Sequence, residues 1–297
     1  MMQEFLDFGD GFDRPTAQPL AERYGEPPFS VLHAGTGRWM AVERDYRRMI
    51  ASGEGRAVRT YGNWKNNTET LASQSIFSAR LARLAYDWFS PVGGTVLDPF
   101  AGGSVRGIVA GMCGMRYTGI DIRQEQVDED LRQVEQARDV LIHKPDYICG
   151  DSRIVLDKLD GQYDLLFSCP PYADLEVYSD LEGDVSNMRY GDFLVAYADI
   201  IRKSCAKLRD GGFAVWVVGE VRDPRSGALR GFVPDTVRAF QDAGMDYYDE
   251  IILENCLGTA PRRTKQFATS RKIVKTHQNI LVFTKGRPVL TEAYRRF

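Results

Sequence analysis

The sequence predicts an α/β protein built on a mostly parallel sheet with helices on both faces. Three observations predict it. Apolar runs of strand length alternate with segments of helical period from residue 73 onward, three successive runs end in or just before an aspartate, and glycine or proline punctuates the boundaries.

The elements follow in order. Residues 1–30 carry Pro15, Pro19, Pro27 and Pro28 among few apolar clusters and read as an arm or a lid. From Ser73, SQSIFSARLARLAYDWF spaces Ile76, Leu81, Leu84, Ala85 and Trp88 mostly three or four residues apart, an amphipathic helix that Pro91 and Gly93-Gly94 end. Strands are expected over residues 95–97, 117–122, 147–149, 163–168 and 213–218, with helices between them over 104–112, 125–141, 152–159 and 192–208. A helix over 233–243 and strands over 248–253 and 279–284 complete a seven-stranded sheet. The domain organisation expected is an N-terminal extension over 1–72, an arm or lid, followed by one α/β domain over 73–297. A long basic insertion over 255–277 separates the closing strands, a natural place for function.

Composition excludes several classes. The 297 residues are 43% hydrophobic and 27% charged, enough apolar content to bury a core. No run approaches the roughly 20 apolar residues that span a bilayer, and MMQEFLDFGDGFDRP lacks the basic start and apolar stretch of a secretory signal, so a cytoplasmic location is expected. Cys113, Cys149, Cys169, Cys205 and Cys256 are scattered, with no CxxC pair and no histidine at ligand spacing, so no metal site is expected. The net charge of −3 conceals local patches. Residues 255–285 hold seven basic side chains and no acid, among them Arg262, Arg263, Lys265, Arg271, Lys272 and Lys275. Residues 31–65 hold seven basic and three acidic ones, interleaved with Trp39, Tyr46, Tyr61 and Trp64. Two such runs flanking an α/β core point to nucleic-acid phosphates.

Two segments carry the chemistry. In TVLDPFAGGSVRGIVAG a strand runs into Asp98, then into a turn of Pro99, Phe100, Ala101, Gly102 and Gly103, where backbone amides can approach a ligand without interference from a Cβ. The next strand, YTGIDI, ends at Asp121 and Ile122, an acid placed to accept from two ribose hydroxyls. The third ends in CGDS, where Asp151 beside Ser152 can accept from an adenine amino group. A dinucleotide is the competing ligand, but a carboxylate at the head of the turn repels a pyrophosphate and attracts a cationic sulfonium, so S-adenosylmethionine fits better than NAD. In YDLLFSCPPY the strand ends in Cys169-Pro170-Pro171-Tyr172, a loop stiffened by two fixed proline φ angles. There Tyr172 can stack on a flipped base while a backbone carbonyl accepts from its exocyclic amine.

DPFAGG followed by CPPY resembles the two signature motifs of the DNA amino-methyltransferases, written DPFxGxG and [DNS]PP[YFW]. The resemblance covers residues 73–285. It implies a Rossmann-like class I methyltransferase fold, S-adenosyl-L-methionine as cofactor, and transfer of a methyl group to adenine N6 or cytosine N4 in double-stranded DNA. SQSIFSARLARLAYDWF is similar to the family's leading cofactor-binding helix, which implicates Ser75 and Phe77, and KTHQNILVFTKG resembles its late HEYILVF-type strand. PPFSVLHAGTGRWMAVERDYRR is similar to segments of phage-encoded DNA methylases, which implies a bacterial or phage-infected host cell.

Two positions depart from the pattern. Ser104 stands where the cofactor motif has its last glycine, and Gly103 is the candidate for that role. Cys169 stands where the catalytic motif has Asp, Asn or Ser, and a thiol is a weak acceptor. Either Ser168 supplies an oxygen, or the carbonyls of Cys169 and Pro170 act alone, or Cys169 is a nucleophile for methylation at cytosine carbon 5. The same residues are compatible with an RNA base methyltransferase and with a non-catalytic relative that only binds nucleic acid. The sequence leaves the recognition site and oligomeric state open.

Overall fold

The computed structural model describes residues 20–50, 77–172, 179, 181, 183–255, 260–290 and 293–294. Among these, the central strands are β2 (Thr95–Asp98), β3 (Arg116–Asp121), β4 (Asp146–Cys149), β5 (Tyr163–Ser168) and β6 (Leu208–Val218). They are crossed by α4 (Val105–Met112), α5 (Gln124–Gln136), α6 (Ser152–Lys158) and α7 (Tyr190–Lys207). After α8 (Phe232–Asp242), the chain adds β7 (Asp246–Glu254) and β8 (His277–Thr284), with the short helices α9 (Ala260–Arg263) and α10 (Lys265–Ser270) between them. Each strand expected from the sequence is present, with ends moved by a few residues.

The sheet is a mostly parallel, Rossmann-like doubly wound sheet. Counting β1 (Val31–His33), its order is β1-β7-β8-β6-β5-β2-β3-β4. Every pairing is parallel except those of β8, which runs antiparallel to β6 and β7. The chain winds outward from β2 through β3 to β4, then returns to β5 on the other side of β2. That reversal opens a crevice at the carboxyl ends of β2 and β5.

Period-two alternation divides the core into two layers. Leu165 and Phe167 of β5 face α4 and the leading helix α3 (Ala79–Phe89), whereas Leu166 faces α6, α7 and α8. Both faces being covered, residues 213–218 of β6 are all buried, which is why that strand reads as a continuous apolar run.

The described part of the N-terminal extension, residues 20–50, packs onto the sheet and the leading helix. Residues 20–50 form α1 (Leu20–Tyr24), β1 and α2 (Gly37–Ile50), and β1 adds an eighth strand parallel to β7. Leu32 and Trp39 are buried in the core layer beneath α3. Polar contacts fix the same junction. Glu43 of α2 accepts from the Ser78 hydroxyl at 3.0 Å and from the amides of Ala79 and Arg80 at 3.3 and 3.1 Å, placing a carboxylate at the positive end of α3. Arg80 pairs with Glu26 at 3.0 Å and donates to the Gly25 carbonyl, and the Trp88 indole donates to the Tyr24 carbonyl at 2.9 Å. A three-residue strand gives almost no alternation to read, so sequence pattern missed it. No helix among the described residues is long and apolar enough to cross a membrane.

One buried acid makes stability depend on pH. Asp130 of α5 is fully buried, and burial pushes its carboxyl pKa up to about 8 against the hydrogen bond it accepts from Gln126 at 2.9 Å. Its folded value lies above its unfolded one, so its contribution is intact in acid and is lost as pH rises from about 4 through about 8. Asp130→Asn removes this dependence. Urea denaturation should find the variant less stable than, or equal to, wild type at pH 4 and more stable at pH 9, by about 1–3 kcal/mol after the cost of an unpaired amide group.

Candidate functional site

The carboxyl ends of β2, β3, β4 and β5 converge on a cavity of about 530 Å³, within the usual size range for small-molecule sites. Its floor is the loop after β2. Pro99, Phe100, Ala101, Gly102 and Gly103 all line it. Gly102 has φ +54, and a Cβ built on it meets nothing within 4 Å, so that edge of the loop is open to a ligand.

The carboxylates at the strand ends take different roles. Asp121 lines the cavity, accepting from the Gly102 amide at 3.1 Å and from the Arg123 amide at 2.9 Å, so the β2 loop is tied to the end of β3. Asp151 lines the cavity beside Ile122 and Ser152. It caps α6 through the Arg153 amide at 2.9 Å and pairs with the Arg153 guanidinium at 2.6 Å. The Ser152 hydroxyl donates to the Pro99 carbonyl at 2.6 Å, joining the start of α6 to the same loop.

Asp98 departs from its expected role. It is fully buried and does not line the cavity. Its carboxylate accepts from Arg106 Nε at 2.6 Å, Tyr117 Oη at 2.7 Å, Ser168 Oγ at 2.5 Å and the Phe100 amide at 3.1 Å. With four donors around it, the group anchors the loop from behind and is not presented to a sulfonium. Burial opposes charge on Arg106, but Asp98, joined by Tyr117 and Cys169, offsets it, and the net effect holds the guanidinium pKa above its ordinary value. Arg106 also donates to the carbonyls of Phe100 and Ala101 at 2.7 and 2.8 Å. The sequence carried a signal for it: a lone arginine in the apolar helix VRGIVAGM.

Ser168 is likewise corrected. It is fully buried and its hydroxyl is committed to Asp98, so it offers no oxygen to the cavity. Cys169, Pro170, Pro171 and Tyr172 do line it. Tyr172 accepts from Gln278 Nε2 at 3.2 Å and stands edge-on to Phe232 with centroids 6.1 Å apart.

Of the leading-helix residues, Phe77 lines the cavity and supports the Arg106 guanidinium 4.6 Å from its ring centroid, while Ser75 lies outside the described residues. Sequence reasoning missed Ala34, Asn255, Gln278, Gly183 and Val185; Asp184 between the last two also lines the cavity, and it is the end of an acidic run from Asp174 that the sequence pattern reads as a lid bordering the site. Asp184 is buried and caps the Ser186 amide at 2.8 Å. The acids preceding it, Asp174, Glu176, Asp180 and Glu182, lie outside the described residues.

The basic insertion divides. Arg262 and Arg263 on α9, Lys265 on α10 and Arg271 after it are exposed, with Arg271 stacked 5.3 Å from the Phe267 centroid. Lys272 lies against Gly227. Lys275 turns inward, with its Nζ buried.

No protein-family model matches the chain, and no curated protein does. Among solved structures, the 4+2 cyclase SpnF superposes with a TM-score of 0.50 at 14% identity, covering 85% of this chain and 95% of that one. A methyltransferase from Pyrococcus furiosus follows at TM-score 0.49 and 12% identity, covering 83% and 96%. TrmN from Thermus thermophilus gives 0.46 at 14% identity, covering 70% of this chain and 49% of its own, so the chain spans about half of that protein. Likeness at these identities concerns architecture alone, and one neighbour being a cyclase shows that the fold hosts more than one chemistry.

The Asp98–Arg106 pair generates a stability test. Asp98→Asn leaves a buried guanidinium uncompensated and should lower unfolding free energy by about 3–5 kcal/mol in chemical denaturation. The double variant Asp98→Leu with Arg106→Met should recover much of that loss, because both charges leave together.

Proposed function

We propose that the chain is an S-adenosylmethionine-dependent methyltransferase that modifies the exocyclic amine of adenine or cytosine flipped out of double-stranded DNA. One observation carries this reading: a single cavity is lined by both the β2 loop with Asp121 and Asp151 and by Cys169-Pro170-Pro171-Tyr172. A nucleoside site and a rigid aromatic-bearing loop thus share one space, as transfer between cofactor and base requires.

The residues present fit the cofactor. Gly102 leaves the loop open to close approach, Asp121 offers carboxylate oxygens to ribose hydroxyls, and Ile122 with Asp151 offers an apolar wall and an acceptor to the adenine. When bound, S-adenosylmethionine would supply a sulfonium methyl group and leave as the neutral thioether S-adenosylhomocysteine, with the amine proton passing to solvent. With Ser168 committed to Asp98, the acceptors for the amine hydrogens are the main-chain carbonyls of Cys169 and Pro170. Those carbonyls orient the nitrogen lone pair, and Tyr172 supplies the stacking face. The N-terminal extension over 1–72, the catalytic domain over 73–297 and the recognition insertion over 255–277 form the proposed organisation, with Arg262, Arg263, Lys265 and Arg271 contacting phosphates.

Two predictions test this reading. Asp121→Ala should weaken S-adenosylmethionine binding in calorimetry by about 1–3 kcal/mol, with circular dichroism showing the fold intact; an unaltered affinity in the folded variant removes Asp121 from the site. In the second, duplex DNA is incubated with labelled cofactor and the product nucleosides are identified by mass spectrometry. Cys169→Ser should retain substantial activity, because the loop works through main-chain carbonyls, and Tyr172→Ala should lose about 1–3 kcal/mol of base stacking. A dead Cys169→Ser protein together with 5-methylcytosine from wild type would establish the covalent route instead.

A further inference from the structure

Lys275 does not itself line the cavity, but it stands next to two residues that do, Tyr172 and Gln278. It lies two residues before β8, which runs antiparallel, so its position falls at the same end of the sheet as the carboxyl ends of β5 and β6. Its Nζ is buried and has no hydrogen-bond partner among the described residues, unlike the exposed Arg262, Arg263, Lys265 and Arg271 of the same basic segment. An ammonium taken out of water without an acceptor is costly, and the cost is relieved when a ligand brings one.

The surroundings show where that acceptor would come from. A Cβ built on Gly219, the residue after β6, would lie 3.2 Å from Lys275 Nζ and 3.6 Å from Tyr172 Oη, so the ammonium and the phenol converge on the space this glycine leaves free. Gln278, three residues on, lines the cavity and donates to the same phenol, with a second amide hydrogen to spare. The adjacent acid, Glu220, is engaged by the amides of Gly231 and Val233 at 3.2 and 3.0 Å. Burial pulls the Lys275 pKa below its ordinary value against the opposing pull of Glu220, consistent with a cation that waits for a partner.

Lys275 and Gln278 therefore put two hydrogen-bond donors beside Tyr172, where the proposed function stacks the base. Next to its amine, cytosine carries a ring nitrogen and, beyond it, a keto oxygen, which are two acceptors along one edge. Adenine carries a single ring nitrogen in the corresponding place and no oxygen at all. Resting on the amino-methylation reading, we infer that Lys275 is a specificity-determining residue whose ammonium, together with Gln278, reads the keto-bearing edge of the target base, so that the base methylated is cytosine, at N4, in preference to adenine. For this, the four-carbon lysine stem has to turn the ammonium from its place beside the phenol toward that edge.

The test uses the full-length protein, labelled S-adenosylmethionine and duplexes rich in both bases, with nucleoside mass spectrometry. Wild type should yield N4-methylcytosine. Lys275→Met, which keeps the stem and removes the charge, should lower kcat/KM on DNA by about 10- to 100-fold while leaving cofactor affinity unchanged. Its thermal midpoint without DNA should stay the same or rise, because an unpaired buried charge has been removed. Lys275→Arg, which keeps a donor, should recover part of the activity. N6-methyladenine from wild type would overturn this inference while leaving amino-methylation standing. N4-methylcytosine made equally well by wild type and Lys275→Met would overturn the role of Lys275. Absence of any methylated DNA base would defeat the reading on which the inference rests, and the inference with it.

Discussion

The buried carboxylate of Asp98 is the constraint on which the rest of the site depends. It joins the ends of β2 and β5, the residue Tyr117 of β3 and the helix α4 through Ser168, Tyr117 and Arg106. A charge at zero exposure is tolerated because each lone pair meets a donor, one of them a guanidinium. The same arginine then reaches the carbonyls of Phe100 and Ala101, so the shape of the cofactor loop and the position of the target loop are set by one cluster. A pair of charges buried this deeply is weak evidence for net stability, but it fixes a single arrangement of the groups around it.

Topology explains why two loops distant in sequence share one cavity. The reversal of strand order between β2 and β5 leaves their carboxyl ends side by side. β8, running antiparallel, brings its amino end to the same rim and so delivers Gln278 and Lys275 beside Tyr172. β7 and β1 end there too, which accounts for Asn255 and Ala34 in the cavity wall.

The N-terminal extension adds a second anchor. By capping α3 with Glu43 and covering it with Trp39, residues 20–50 hold the helix start, and with it Phe77, against the cavity. Phe77 in turn lies over Arg106, so the extension reaches the Asp98 cluster through one aromatic contact. This coupling of a peripheral segment to the central ion pair passes through side chains that sequence separation would keep apart.

Much of the fold was legible because it rests on local pattern. Continuous apolar runs gave strands 163–168 and 213–218, three- and four-residue spacing gave the leading helix, and glycine and proline marked the ends. Motif order identified the two loops that meet in the cavity. What the chain alone did not disclose was direction and company. Whether an aspartate at a strand end faces a ligand or the core depends on which donors other strands bring to it, and Asp98 met three side-chain donors where Asp121 met two main-chain amides. The same holds for Lys275, one basic residue among seven in sequence, which only the antiparallel return of β8 turns inward beside Tyr172. Sequence determined the periodicities, because they depend on neighbours three or four residues away; tertiary structure decided which polar groups are spent on the framework and which remain for a ligand, because that depends on partners brought together across the sheet.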